Sequence, residues 1–390
     1  MGKGKIKMSG IKVLSVFGTR PDAVKMAPLV LELQKRPEID SKVCITAQHR
    51  ELLDGVLDVF GIAADFDLDI MSENQTLSDI TARVLSQLGK IYSDERPDIV
   101  LVHGDTTTAF VSALAAFYEK IKVGHVEAGL RSYNKLSPYP EEMNRLLVAR
   151  LADLHFSPTV GNAENLRREG ITGGIYITGN TVIDAVAYTS KGVGFVSPAL
   201  QNIDWANKKI VTMTCHRREN YGESMENIFT AIRTLADKYE DSLFVYPVHP
   251  APTVKKTAEQ FLGGHDRIML IDPLNTMDMH RLMAASYIVM TDSGGLQEEA
   301  PALGKPVLVL RRETERPEAV AAGTVKLAGV GRDDIINTAS LLFDNLEEYS
   351  RMARAANPYG DGKACGRIAD AILHEFGLKD IAPEAFSIDT

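Results

Sequence analysis

The sequence has few of the features that mark a secreted, membrane-embedded or zinc-binding protein. Only three cysteines occur in 390 residues, and they form no CxxC pair and no zinc-binding pattern. A reduced chain is therefore expected rather than a disulfide scaffold. No apolar run approaches the ~20 residues that span a bilayer. The basic start MGKGKIKMSG lacks the apolar core of a signal peptide. We expect a soluble, cytoplasmic protein.

An excess of positive charge is also missing. The chain carries 43 Lys and Arg against 52 Asp and Glu, a formal net charge of −9. This balance argues against non-specific binding to nucleic acid or to anionic membranes, although it allows a local basic pocket. A hydrophobic fraction of 45% with 24% charged residues excludes wholesale disorder and fibrous repeats.

Strand-like apolar runs alternate with longer amphipathic stretches along most of the chain, which is typical of βαβ units and a parallel sheet. The first series of predicted strands covers 13–17, 43–46, 99–102, 123–126, 155–157 and 175–177. The second series covers 210–213, 244–246, 268–271, 288–290, 307–310 and 325–327.

The predicted fold class is α/β, with two doubly wound Rossmann-like domains. The N-terminal domain is placed at 11–189, a linker rich in Gly, Ser and Pro at 190–208, and the C-terminal domain at 209–363. Ligands bind beyond the carboxyl ends of the strands in such sheets, so we expect the domains to face each other across a cleft.

The loop after the first predicted strand reads Gly18-Thr19-Arg20-Pro21. Glycine lets the backbone turn tightly, and the start of the following helix offers N–H groups to an anion. Arg20 and Lys25 could add charge for a phosphate; the plain alternative is a strand–turn–helix with two surface cations. Neither a G-x-G-x-x-G fingerprint nor a Walker loop occurs.

Acidic residues stand at three further points where strands end or helices begin. Asp105 follows a buried strand, and the alternative to a catalytic role is that it simply caps the next helix. Glu127 follows the next strand and could simply pair with Arg131. Glu141 and Glu142 open a helix, where the helix dipole favours carboxylates. Their expected convergence at one sheet edge favours general acid–base chemistry.

The second series of strands is followed by polar residues suited to phosphate. His216 and Arg217 follow its first strand, where they are natural at a phosphate site and costly in an interior. Ser293-Gly294-Gly295 offers bare N–H groups and a hydroxyl. Glu299 could accept hydrogen bonds from two ribose hydroxyls, and the stretch 311–318 adds cations. The alternative is ordinary surface charge.

Together these segments closely resemble the non-hydrolysing UDP-N-acetylglucosamine 2-epimerases. The resemblance runs from about position 13 to about position 362, through VFGTRPDAVKMAPL, TAQHRELL, VLVHGDTTTA, VGHVEAGLRS, PYPEEMNR, ITGNTVIDA, HRREN, YPVHP, TDSGGLQEEAPALGKPVLVLR, TERPEAVAAGT and NPYGDG. It implies the two-domain GT-B fold, with a final helix at 364–378 that returns to the first domain.

The resemblance also implies a reaction. Members interconvert UDP-N-acetylglucosamine and UDP-N-acetylmannosamine by anti elimination of UDP, which leaves 2-acetamidoglucal, followed by re-addition. This route needs a base, an acid and stabilisation of the departing anion. It implies no cofactor and no metal. A homodimer that feeds surface polysaccharide synthesis is also implied.

Residue roles follow from the matched motifs. The carboxylates of the acid–base set are Asp105, Glu127 and Glu141, with His216 at the diphosphate. The residues expected on the UDP-sugar are Arg20, Lys25, Ser293, Gly294, Gly295, Glu299 and Arg316. Some members bind a second substrate molecule as an activator, and the matching positions here are Gln48, Arg217 and His249. Met279 departs from the pattern, because members often carry an aromatic residue there, near the uracil.

Three other functions stay open on the sequence alone. A hydrolysing epimerase that releases N-acetylmannosamine and UDP would share the fold and the elimination step. A GT-B glycosyltransferase would need an acceptor before UDP is released. A non-catalytic nucleotide-sugar sensor would bind without turnover.

Overall fold

The structure is a computed structural model that describes residues 10–46, 50–71, 75–192 and 194–388, without the side chains of 50–52. The described chain divides into two compact units. Unit 1 comprises the residues up to Ala185 together with Gly360–Ser387, and unit 2 comprises Val186–Tyr359 with Ile388. No described helix is both long enough and apolar enough to cross a membrane.

Each unit is built on one parallel sheet. The strands of unit 1 are β1 (Ile11–Phe17), β2 (Ile39–Ile45), β3 (Phe66–Asp67), β4 (Ile99–His103), β5 (Lys122–Val126), β6 (Leu154–Ser157) and β7 (Ile175–Ile177). The strands of unit 2 are β8 (Lys209–Thr214), β9 (Ser242–Pro247), β10 (Ile268–Ile271), β11 (Ile288–Thr291), β12 (Val307–Val309) and β13 (Val325–Leu327).

Helices alternate with these strands. In chain order they are α1 (Arg20–Gln34), α2 (Arg50–Phe60), α3 (Leu77–Glu95), α4 (Thr107–Tyr118), α5 (Glu141–Leu151), α6 (Val160–Arg168), α7 (Thr181–Thr189), α8 (Pro198–Gln201), α9 (Glu223–Lys238), α10 (Pro252–Leu262), α11 (Thr276–Ala285), α12 (Leu296–Glu299), α13 (Pro317–Ala322), α14 (Arg332–Asp344), α15 (Leu346–Arg354) and α16 (Ala364–Glu375). Short 3-10 turns lie at Arg218–Asn220 and Pro301–Leu303.

The strand orders confirm the predicted α/β fold class. The seven-stranded sheet runs β3-β2-β1-β4-β5-β6-β7 and the six-stranded sheet runs β10-β9-β8-β11-β12-β13, with every pair parallel. The order reverses between β1 and β4 in one sheet and between β8 and β11 in the other. Ligand sites of doubly wound folds form at such reversals, beyond the carboxyl ends of the strands.

Burial explains why the central strands were visible in the sequence. In β4 all five residues are buried, and residues 99–102 form one continuous apolar run. Strands of parallel sheets are covered on both faces, so they show continuous rather than alternating apolar patterns. Within 295–303 the short helix α12 is followed by a 3-10 turn that begins at Pro301, because proline lacks the N–H that would continue the helix.

The described residues of the segment 190–208, which is predicted as a linker, belong to unit 2 and pack against it. Leu200 is fully buried with Ile210 and Val245. The rings of Phe195 and Trp205 stack with centroids 4.8 Å apart. A few apolar side chains among polar residues therefore anchor this segment. Because their spacing is irregular, the apolar pattern of the sequence does not indicate that the segment is packed.

The last helix, α16, lies in unit 1. Its apolar face is buried in the same cluster as α1, with Ile368 and Ile372 both 0% exposed. The carboxylate of Asp184 accepts hydrogen bonds from the N–H groups of Ala364 and Cys365, at 3.2 and 3.0 Å. These contacts hold the first turn of α16 in place.

Candidate active site

The loop between β1 and α1 is shaped first by packing. A Cβ added to Gly18 would lie 1.9 Å from Thr46 Oγ1 and 2.9 Å from Thr108 Oγ1, so only glycine fits. Thr19 caps α1 by accepting the N–H of Asp22 at 3.4 Å. The structure therefore places Arg20, which is half-buried, at the start of α1, one turn before Lys25.

Glu127 stands directly after β5 and is held by three neighbours. Lys25 and Asn180 donate hydrogen bonds to its Oε2, with Asn180 at 2.9 Å, and His103 Nε2 lies 3.8 Å away. The alternative pairing with Arg131 does not occur, because Arg131 forms a bidentate pair with Glu169 at 2.7 and 2.8 Å. Glu127 therefore forms a cluster with Lys25, Asn180 and His103 at the carboxyl ends of the strands.

The environment of Glu127 is unusual in both charge and backbone conformation. Burial alone would raise the pKa of Glu127, but the charges of Lys25 and His103 and the hydrogen bonds from Lys25 and Asn180 lower it to about 2. Its φ of 64° lies in the left-handed region, which is costly for a residue other than glycine. Backbone strain of this kind concentrates at functional sites.

Asp105 is not the helix cap that its position allowed. Thr106 caps α4 by accepting the N–H of Ala109 at 3.2 Å, which leaves the Asp105 carboxylate for other contacts. Arg145 donates a hydrogen bond to that carboxylate. Burial raises the pKa of Asp105, and the charge of Glu127 raises it further, while Arg145 opposes both.

The paired glutamates at the start of α5 have different roles. Glu142 is 1% exposed and accepts the N–H groups of Ser132 and Tyr133 at 3.0 and 2.9 Å, so it anchors the preceding loop. Its carboxylate also lies 3.3 Å from Arg145. Glu141 has a buried Oε2 with no hydrogen-bond partner among the described residues. Of the two, Glu141 is therefore the one with an oxygen available to a ligand.

Two buried histidines complete this cluster, and sequence reasoning did not single them out. His103 is 3% exposed, and its Nδ1 lies 3.5 Å from Asp22. Burial lowers the pKa of His125 to about 3, so the ring is uncharged and its Nε2–H donates to the Gly104 carbonyl at 2.7 Å. Histidine at or near the end of a buried strand was the available signal.

In unit 2, Asp292 organises the loop after β8. Its Oδ2 accepts the N–H groups of His216 and Arg217, both at 2.8 Å, and the amide of Asn220 at 3.1 Å. His216 Nδ1 lies 3.4 Å from Asp292 Oδ1, and its ring stacks on His249 at 5.3 Å. Burial and the charges of His249 and Arg217 lower the pKa of His216, while Asp292 opposes them.

The glycine-rich loop after β11 lies between cations and a carboxylate. A Cβ on Gly294 would stand 3.6 Å from an Arg217 guanidinium nitrogen and 3.9 Å from one of Arg316, and a Cβ on Gly295 would stand 3.2 Å from Glu299 Oε1. Glu298, which sequence reasoning missed, accepts from Arg316 Nε at 2.5 Å. Guanidinium groups beside bare backbone suit a phosphate group.

The predicted site residues therefore fall into two sets. Unit 1 brings together Lys25, Asp105 and Glu127 at its sheet edge, with Glu141 opening α5. The set in unit 2 comprises His216, Arg217, His249, Ser293, Gly294, Gly295, Glu299 and Arg316. Gln48 lies outside the described residues. Met279 is half-buried on α11. No group of three metal-ligating side chains occurs in the part of the chain that the structure describes.

Two Rossmann-like units with carboxylates at the strand ends of one and a glycine–arginine loop in the other define a GT-B type nucleotide-sugar enzyme. The family model "UDP-N-acetylglucosamine 2-epimerase" matches residues 31–373, and the chain belongs to this family. It is similar to the UDP-N-acetylglucosamine 2-epimerase of Bacillus subtilis, with 53% identity over 97% of this chain and 100% of that one.

Solved structures agree with this assignment. The UDP-GlcNAc 2-epimerase of Neisseria meningitidis, bound to UDP-GlcNAc, has a TM-score of 0.82 and 51% identity, covering 93% of this chain and 99% of that one. The enzyme of Methanocaldococcus jannaschii has a TM-score of 0.81 and 30% identity, with the same coverage of 93% and 99%.

Proposed function

We propose that this protein catalyses the reversible epimerisation of UDP-N-acetylglucosamine to UDP-N-acetylmannosamine at C2. The observation that carries the proposal is the pair of buried carboxylates Glu127 and Asp105, whose environments move their pKa values in opposite directions. Two carboxylates with separated pKa values at neighbouring strand ends suit an acid–base pair. The bound UDP-GlcNAc of the Neisseria relative supports the substrate.

The C2 proton of the sugar has no adjacent carbonyl to acidify it, so direct abstraction and return would be very slow. In the proposed route a base removes the C2 proton while the C1–O bond breaks, and UDP departs with the bonding electrons. The C1–C2 double bond of 2-acetamidoglucal results. Protonation of C2 on the opposite face and re-addition of UDP to C1 give the epimer.

The groups of unit 1 carry the proton transfers in this proposal. Glu127 stays ionised near neutral pH and can accept a proton, whereas burial and the charge of Glu127 raise the pKa of Asp105 and so favour its protonated form. Glu141, with its unpartnered buried oxygen, is the third member of the set. Microscopic reversibility requires the donor and acceptor to exchange roles in the reverse direction.

The groups of unit 2 carry the nucleotide. Ser293, Gly294, Gly295 and Arg316 bind the diphosphate in this proposal. The family resemblance also assigns Arg20 and Lys25 to the UDP-sugar. His216 stabilises the departing UDP in this proposal. An elimination requires such stabilisation because negative charge develops on the leaving group. Glu299 accepts hydrogen bonds from the ribose hydroxyls.

Proton NMR of UDP-GlcNAc incubated with the enzyme in D2O tests the reaction directly. We expect UDP-ManNAc that carries deuterium at C2, without any added cofactor. Protium retained at C2 in the product would exclude the elimination route. Free N-acetylmannosamine with UDP would instead identify a hydrolysing epimerase, and UDP release only with an acceptor would identify a glycosyltransferase.

Replacing the carboxylates one at a time tests the assignment of roles. Asp105→Asn, Glu127→Gln and Glu141→Gln should each lower turnover by orders of magnitude while UDP binding survives. Full activity in all three variants would contradict the acid–base assignment. If the wild-type protein binds UDP-GlcNAc but does not turn it over, the protein is a sensor rather than an enzyme.

Two further features are proposed from the family resemblance. We assign an activator site for a second UDP-GlcNAc molecule to Gln48, Arg217 and His249. The ring of His249 stacks on that of His216, which supports a coupling between the activator site and the diphosphate site. A reverse reaction with hyperbolic kinetics and no UDP-GlcNAc requirement would contradict it. The enzyme is proposed to act as a cytoplasmic homodimer; light scattering should give twice the chain mass.

A further inference from the structure

Three side chains of unit 2 form a connected chain that ends on Glu299. Thr189, at the end of α7, and His280, on α11, are each 2% exposed. The Thr189 hydroxyl and His280 Nδ1 are hydrogen-bonded at 2.5 Å. On the other side of the ring, His280 Nε2 lies 3.3 Å from Glu299 Oε2. The imidazole therefore bridges a hydroxyl and a carboxylate.

The chemistry of the three groups sets the direction of this chain. A carboxylate only accepts hydrogen bonds, so Nε2 stabilises Glu299 by carrying the hydrogen. In a neutral ring Nδ1 is then the acceptor, and the Thr189 hydroxyl donates to it. Thr189 thus selects the tautomer of His280 that places an N–H toward Glu299.

The two oxygens of the Glu299 carboxylate have different neighbours. Oε2 faces His280, while Oε1 lies 3.2 Å from the position that a Cβ on Gly295 would occupy. The carboxylate therefore lies between His280 and the glycine-rich loop, and the contact with His280 favours this orientation. A carboxylate held in one orientation can accept hydrogen bonds from two adjacent hydroxyls at a lower entropic cost than a free one.

We propose that His280, oriented by Thr189, is a positioning residue that sets the enzyme's preference for ribonucleotides over deoxyribonucleotides through Glu299. The inference rests on the proposed function in one respect, namely that Glu299 binds the ribose of a uridine nucleotide. Its action is on binding of the sugar hydroxyls, and it adds no chemical step.

The test compares UDP with 2′-deoxy-UDP by titration calorimetry on the full chain. The wild-type protein should bind UDP more tightly than 2′-deoxy-UDP by a factor of about 10 or more. Without the 2′-hydroxyl, a hydrogen bond to a charged group is lost. In His280→Phe the preference should fall to about 3-fold or less, with the affinity for 2′-deoxy-UDP nearly unchanged. Since both ligands are measured on one preparation, their ratio does not depend on the folded fraction.

Matched variants separate positioning from general damage. His280→Gln keeps an N–H donor and should keep most of the preference, whereas Thr189→Val should lower it in part and the neighbouring Ser190→Ala should not. Glu299→Gln should lower the preference as far as His280→Phe does. A His280→Phe variant with the wild-type ratio, beside a reduced ratio in Glu299→Gln, would overturn the role of His280 alone.

The remaining outcomes distinguish this inference from the proposed function. If the wild-type enzyme interconverts the two UDP-sugars but binds UDP and 2′-deoxy-UDP equally, the ribose preference is overturned while the function stands. If it neither binds UDP nor turns over UDP-GlcNAc, the proposed function itself is overturned.

Discussion

Lys25 of α1 donates a hydrogen bond to Glu127, the residue that follows β5. The cation proposed for the diphosphate is therefore also the partner of a carboxylate proposed for proton transfer. The two residues are 102 positions apart in sequence and meet because β1 and β5 both flank β4. Lys25, with His103 and Asn180, lowers the pKa of Glu127 to about 2, and a diphosphate that drew Lys25 away would raise it again.

Replacing Lys25 by Met should destabilise the protein in a pH-dependent way. The lowered pKa of Glu127 stabilises the fold at pH values above its ordinary 4.5, and this stabilisation is lost as the pH falls toward about 2. Urea unfolding at pH 7 should therefore show a large loss for Lys25→Met that shrinks below pH 4.5. Lys35→Met is the control, because that side chain is 71% exposed. A loss of stability of the same size at pH 7 and below pH 4.5 would contradict the coupling between Lys25 and Glu127.

The Arg145–Asp105 pair predicts a shift in the pH profile of turnover. Arg145 lowers the pKa of Asp105, so Arg145→Met should raise that pKa. The limb of the kcat profile that reports Asp105 should move to higher pH by the same amount. Arg150→Met, on the same helix but bonded to the Glu169 carbonyl, should leave the profile in place. A shift in both variants would show that the effect is not specific to Asp105.

Gly18 should be intolerant of substitution for a reason independent of phosphate. Gly18→Ala places a methyl group 1.9 Å from Thr46 Oγ1, so we expect a loss of about 2 kcal/mol or more in the free energy of unfolding. Gly55→Ala, on α2 with nothing within 4 Å of the new methyl, should stabilise by up to about 1 kcal/mol. Denaturant unfolding measures both. An unaffected Gly18→Ala variant would argue against the packing at the end of β1.

The three cysteines should be inert in the folded protein. All are buried and free, and burial raises the pKa of the Cys44 thiol to about 12. The pKa values of Cys215 and Cys365 are also raised by burial. Ellman's reagent should therefore react with three thiols per chain in guanidinium chloride and with almost none in native buffer. Rapid reaction of the native protein would contradict the burial.

Much of the fold could be predicted because parallel strands covered on both faces need continuous apolar runs. Helices with narrow buried faces give a weak apolar pattern: only Ala163 and Leu166 are buried in α6, and only Met352 in α15. The two-residue strand β3 is too short to show a pattern. These elements form because neighbouring structure completes them.

The sequence by itself determined the α/β class and the kinds of residue available at the strand ends, because local apolar spacing and motif chemistry need no distant contact. Only the tertiary structure decided which partners these residues have. It placed Lys25 rather than Arg131 on Glu127, made Thr106 the helix cap that leaves Asp105 available, and made Glu142 a loop anchor. Such pairings depend on strand order, which brings together residues that lie far apart along the chain.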